Sequence, residues 1–139
     1  INQLKNQEVV WFGSDCGNYQ NREIGCWDTN LFDVNGLFGI DFSLDKEAGL
    51  YTGDSAMNHA MVLTGVNLVD EKPTKWKIEN SWGKELGNKG FFIASDTWFD
   101  AYVYQAVVHK KYLTQEQLEC LNKEHHLLEP WDPMGTLAK

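Results

Sequence analysis

Two runs rich in β-branched and aromatic residues, "AMVLTG" at 60–65 and "KWKIENSW" at 75–82, flank a short polar stretch holding "DEKPT". Runs of this length bounded by turn-forming residues predict two antiparallel strands of one hairpin. Side chains alternate between the faces of a strand, so Trp76, Ile78, Asn80 and Trp82 share one face, and Lys77 and Glu79 the other. Asn80 therefore points to the apolar side, and His59 stands at the mouth of the first run. Burying either group without a hydrogen-bond partner is unfavourable. If the hairpin folds about its midpoint, between Val69 and Asp70, the two become cross-strand neighbours and each other's partner.

The flanking sequence extends this hairpin into a larger sheet. "EVVWFG" predicts a strand at 9–12, "KGFFIAS" another, and "VYQAVVH" a further one. Between the first strand and the hairpin, "SDCGNYQNREIGCWDTN" is rich in Gly, Asn and Asp and reads as a long loop. Leu31, Phe32, Val34, Leu37 and Phe38 fit a short amphipathic helix, and "LDKEAGLYTGD" a second one closed by a glycine. Asp96 is a candidate cap for a helical turn at "TWFDAY". Thr114 with Gln117 three positions later forms a capping-box signature for a helix in "LTQEQLECLNKE". The tail "LLEPWDPMGTLAK", with two prolines and no period, is expected to be extended. The expected class is α+β: an antiparallel, barrel-like sheet over about 9–112, with a helix and C-terminal arm over about 113–139.

Six Trp, seven Phe and five Tyr in 139 residues supply enough apolar bulk for one domain core. The formal net charge of -8, with no cluster of Lys or Arg, lacks the footprint expected for nucleic acid or an anionic membrane. No apolar run approaches the roughly 18 residues of a spanning helix. Three irregularly spaced cysteines argue against a disulfide framework and for a reducing, cytoplasmic setting. The opening "INQLKNQEVVWFG" runs from a polar, helix-like tail directly into a strand, as expected for a segment of a longer polypeptide.

An Asn side-chain oxygen accepting from one ring nitrogen of His59 would fix its tautomer and leave the other nitrogen aimed outward, free to act as a general base. Trp82 is placed to cover that bond. A histidine beside a strand is more often a satisfied structural residue, so on residue chemistry alone both readings stand. The other histidines, His109, His125 and His126, show no ligand spacing; "EHH" reads as a solvated helix end, and no metal or cofactor is expected. Asp28, Asp33, Asp41 and Asp45 are better explained as loop charges than as a paired acid and base.

"NHAMVLTG", "KIENSWG" and "NKGFF", in that order, resemble the His and Asn regions of papain-like cysteine peptidases. More narrowly, "VVWFGSD", "TKWKIENSWG", "DTWFDAYVYQAVV" and "EPWDPMGTLAK" resemble the C-terminal part of the bleomycin hydrolase or aminopeptidase C family, from about residue 9 to 139. The resemblance implies a papain-like fold, of which this is the His- and Asn-bearing half. It also implies a Cys–His–Asn triad with His59 as base and Asn80 as orienter, and a C-terminal arm ending in Leu137, Ala138 and Lys139 that lies in the cleft. A homo-hexameric barrel and removal of residues from free peptide N-termini, with a range that includes bleomycin, follow from the same resemblance.

One part of the family pattern is missing. The nucleophile belongs to a helix far upstream of the histidine, and nothing here matches that context. "GCW" at 25–27 mimics its Cys-Trp pair but lies in a loop-like stretch close to His59, and Cys16 and Cys120 fit no better. The nucleophile and the side-chain oxyanion donor are therefore expected on an N-terminal part of the same protein, and this chain alone is expected to be inactive. The rival reading is an aromatic-rich binding or structural module, with Trp11, Trp27 and Trp98 as stacking platforms. Burial in the core is the competing account of each, and the preferred one for Trp11.

Overall fold

A computed structural model describes residues 1–132; the expected arm end, Leu137 to Lys139, lies outside the described residues. A short helix α1 (Asn2–Lys5) leads into strand β1 (Val10–Ser14), followed by two-residue strands β2 (Gln20–Asn21) and β3 (Cys26–Trp27). Helices α2 (Val34–Phe38) and α3 (Lys46–Thr52) precede the long hairpin β4 (His59–Val69) and β5 (Lys72–Glu79). Strand β6 (Phe91–Ser95), helix α4 (Asp96–Tyr102), strand β7 (Val103–Val107), a 3-10 turn (Lys110–Tyr112) and helix α5 (Gln115–Cys120) complete the described elements. The seven strands form one sheet in the order β2-β3-β6-β5-β4-β1-β7. Every pairing is antiparallel except β3 with β6.

Alternation along the strands builds the core on one face. Val10 and Phe12 of β1, Met61 and Leu63 of β4, Trp76 and Ile78 of β5, and Phe92 and Ala94 of β6 are all buried. Lys75, Lys77 and Glu79 stay exposed on the opposite face of β5. The same alternation reverses the expectation for Trp11. Placed between two inward residues of β1, it points out and is 57% exposed. Trp27 and Trp98, by contrast, are 1% and 0% exposed and pack with ring centroids 5.3 Å apart and planes tilted by 30°, so neither is a surface platform. Their indole N–H groups donate to the carbonyls of Cys16 (3.0 Å) and Asn18 (2.9 Å), which ties the Gly- and Asn-rich segment onto the sheet.

Caps delimit the helices. Asp33 and Asp45 accept N–H groups at the starts of α2 and α3, and Gly39 and Gly53 close them in the left-handed conformation. Both bonds of the Thr114–Gln117 capping box are made on α5. At α4 the cap is Ser95, whose hydroxyl accepts from the Trp98 N–H. Asp96 instead accepts from Trp76 Nε1 at 2.9 Å, bracing the helix against β5. Buried Gln3 donates to Val9 O (2.7 Å) and accepts from His109 N–H (2.9 Å), joining α1 to the exit of β7.

The hairpin turn falls later than its expected midpoint. Asp70 and Glu71, at φ 49° and 63°, form a two-residue turn with both residues left-handed, so Lys72 and Pro73 belong to β5 rather than to a loop. Val62 then faces Glu79 and Leu63 faces Ile78. Continuing that register sets His59 opposite Trp82, with Asn80 on the diagonal. Among the described residues no helix is long and apolar enough to cross a membrane.

Candidate active site

His59 is the first residue of β4 and is half-buried, paired on one side with Ser14 of β1. Its Nε2 lies 2.8 Å from Asn80 Oδ1. The expected bond is made, but as a diagonal pair, because a diagonal separation remains within reach of two polar side chains. Asn80 follows directly on β5 and is held by its own backbone N–H, which donates to Gly90 O at 3.1 Å. The Ser81 N–H donates to Asn80 Oδ1 at 2.8 Å. A backbone N–H can only donate, so that atom is the oxygen and the histidine must carry its proton on Nε2. Nδ1 makes no hydrogen bond among the described residues, and its lone pair is free for chemistry. Asn80 Nδ2 is buried without a partner among the described residues.

Trp82 stacks on the imidazole, with ring centroids 5.1 Å apart and planes at 22°. Its other neighbours are Trp27 at 6.0 Å and Phe92 edge-on at 5.7 Å, so the indole links the histidine to the core. The guanidinium carbon of Arg22 lies 4.7 Å from the centroid of the Trp82 ring, a cation–π contact that sequence reasoning did not anticipate.

Sequence reasoning also passed over the group behind the histidine. Asp15, at the end of β1, is 4% exposed and binds Asn58, the residue before His59. The signal was present in "MNHA", where a second amide side chain adjoins the histidine, and in "SDCGN", where an Asp follows directly on an apolar strand.

None of the three free cysteines is built as a nucleophile for this histidine. Cys16 is buried, and desolvation pushes its thiol above the ordinary value, with Asp15 adding to the effect. Cys26 lies on β3, and burial followed by the Asp28 charge pushes it up as well. An activated thiol requires the opposite shift. Cys120 is exposed at the end of α5.

The candidate acids are engaged locally. Asp28 accepts from Asn30, Asp33 and Asp45 cap helices, and Asp41 accepts from Ser43 and Asn35, whose bonds hold its carboxyl below the ordinary range. Among the described residues no cluster of three or more His, Cys, Asp or Glu could hold a metal ion. A concavity lined by Tyr19, Phe32, Lys46, Tyr102 and Tyr104 includes neither His59 nor Asn80.

A curled half-barrel sheet that presents a His–Asn pair at the end of its central hairpin defines one class, the papain-like peptidase fold. The chain belongs to the Peptidase C1-like family, whose sequence pattern matches residues 1–135. It is 55% identical over 141 aligned residues to aminopeptidase C of Lactobacillus delbrueckii subsp. lactis, covering 99% of this chain and 31% of that protein. Aminopeptidase C of Listeria innocua is 48% identical over 136 residues, covering 98% of this chain and 31% of the relative. A crystal structure of PepW from Lactobacillus rhamnosis HN001 superimposes with a TM-score of 0.90 at 54% identity, over 99% of this chain and 31% of that one. The chain thus spans about a third of the length of these relatives.

Proposed function

We propose that this chain is the base-bearing, C-terminal portion of a cysteine aminopeptidase of the bleomycin hydrolase and aminopeptidase C kind. The observation that carries the reading is the 2.8 Å contact from His59 Nε2 to Asn80 Oδ1, with Nδ1 left open. In this reading a cysteine on the remainder of the polypeptide gives its thiol proton to Nδ1 of His59, forming a thiolate beside an imidazolium. The thiolate attacks the scissile carbonyl carbon, and a tetrahedral oxyanion forms. His59 then returns the proton to the leaving amine, and the acyl-enzyme remains. A water that loses its proton to the same nitrogen then attacks the thioester carbonyl; the C–S bond breaks, the acid product leaves, and the proton returns to restore the cysteine–histidine pair. Asn80 keeps Nε2–H bound throughout, so the ring neither rotates nor changes tautomer.

In this reading the nucleophile and a side-chain oxyanion donor belong to that remainder: burial raises the thiols of Cys16 and Cys26, and Cys120 is exposed at the end of α5. Peptides with a free N-terminus are the substrates, a homo-hexamer is the assembly, and the cytoplasm is the setting. In this reading the arm expected at Leu137, Ala138 and Lys139, outside the described residues, would meet the substrate's ammonium in the cleft. Burial of Trp27 and Trp98 removes the main support for a binding module built on stacked aromatics.

In the longer polypeptide that contains this chain, His59→Ala is expected to remove nearly all turnover of an aminoacyl-coumarin substrate. Asn80→Ala should reduce it by a smaller factor, on the order of 10- to 100-fold, since an orienting group contributes less than the base. Activity within about twofold of the parent in both variants would refute the triad. The 139-residue chain alone is expected to show no turnover; activity abolished by Cys26→Ala would place the nucleophile here after all.

A further inference from the structure

The carboxylate of Asp15 is nearly sealed from solvent and collects five donors. Its Oδ1 accepts from Asn58 Nδ2 (2.7 Å) and the Gly17 N–H (3.1 Å). Its Oδ2 accepts from Asn18 Nδ2 (2.8 Å), Ser55 Oγ (2.9 Å) and the Ala56 N–H (3.3 Å). Because Ser55 donates its proton to Asp15, the hydroxyl of Tyr104, 2.6 Å from Ser55 Oγ, donates in turn to Ser55. The Asp15 N–H donates to Tyr102 O at 2.9 Å, which links the group to the end of α4. A buried carboxylate is costly unless its lone pairs are filled, and here they are filled by groups from two segments, 17–18 and 55–58.

Asn58 is the output of this network. Its N–H donates to Ser14 O (3.0 Å), its Oδ1 accepts from the Cys16 N–H (3.0 Å), and its Nδ2 reaches Asp15. The next residue is His59. The sheet holds this point weakly, since β5 pairs with β4 only from Val62 onward, leaving 59–61 supported by β1 alone. Three bonds on Asn58 therefore restrain the backbone where the second flanking strand is missing.

We propose that Asp15 and Asn58 form a positioning clamp that sets the His59 imidazole against Asn80 and holds Nδ1 toward the nucleophile. The proposal rests on the reading of His59 as the base. Neither residue touches the reacting atoms; both act through the histidine. A small error in the placement of a general base can cost as much as about 100-fold in rate without altering substrate binding.

The test uses the longer polypeptide, with rates expressed per active site titrated by an irreversible thiol reagent. Asn58→Ala is expected to lower kcat per titrated site by roughly 10-fold or more while KM stays within about twofold. Asp15→Asn, whose amide would face donors with a donor, is expected to do the same, and the double variant should fall no further than the worse single one. If Asp15→Asn fails to fold, Asn58→Ala decides the matter alone. A variant whose titre or melting temperature falls while kcat per site is unchanged would overturn the clamp and leave a plain structural role. Full independence of the two substitutions would overturn it as well. His59→Ala in the same assay separates the two claims: residual activity there removes the base assignment, whereas loss there with a normal Asn58→Ala removes only the clamp.

Discussion

Trp82 covers the polar pair at the site with one large apolar surface, which keeps water off the Nε2 to Asn80 bond and fixes the plane of the ring. In the active polypeptide, Trp82→Ala is expected to lower kcat/KM by about tenfold, equivalent to about 1.4 kcal/mol, while Trp82→Phe retains most activity; steady-state kinetics check this. Tyr102 carries a different consequence. Burial, with Tyr19 and nearby acids adding, pushes its phenol up to about 12. An unfolded chain ionises tyrosine near 10, so above that pH the unfolded state holds fewer protons than the folded one. Stability is therefore intact below about pH 10 and declines toward pH 12. Melting curves across that window should flatten in Tyr102→Phe, though not fully, because burial also raises Tyr104.

The β4–β5 hairpin is the element on which the site depends, since its two ends deliver His59 and Asn80. Its turn uses Asp70 and Glu71 at positive φ, where neither residue is at ease and Glu71 is the poorer fit. Replacing them with Asn-Gly is expected to stabilise the protein by about 0.5 to 1 kcal/mol, read as a higher denaturant midpoint at unchanged slope. The same residues explain why the turn was hard to place. "DEKPT" contains a proline and no glycine, so it reads as a loop, and the midpoint estimate missed the register that only the ladder to β6 and β1 enforces. The pairing of His59 with Asn80 survived that error because both direct and diagonal neighbours lie within reach. At α4 the cap is Ser95 and not the expected Asp96, whose carboxylate accepts instead from the indole N–H of Trp76, twenty positions away in sequence.

At the scale of the molecule, one sheet gathers the His–Asn pair from separate stretches, and in the proposed reading the nucleophile belongs to the remainder of the polypeptide. The proposed arm bears on substrate choice. The tail's two prolines favour an extended ribbon, the form such an arm would need to follow a cleft. Deleting 134–139 from the active polypeptide is expected to open the cleft and allow cleavage of an N-terminally blocked peptide, with products mapped by mass spectrometry. Continued refusal of the blocked substrate would mean that the arm does not set the register. What the chain's letters determined by themselves was the main strands and helices and the identity of the His–Asn pair, though not β2 and β3, which lie in the stretch that reads as a loop; hydrophobic period, caps and the cost of an unpaired buried amide are local properties, and two-residue strands carry no period. What only the tertiary structure decided was the diagonal geometry of that pair, the outward turn of Trp11, and the convergence of Asp15, Ser55 and Asn58 behind the histidine. Those depend on which strands become neighbours, and a polar side chain's partner across the fold leaves no periodic trace in the sequence.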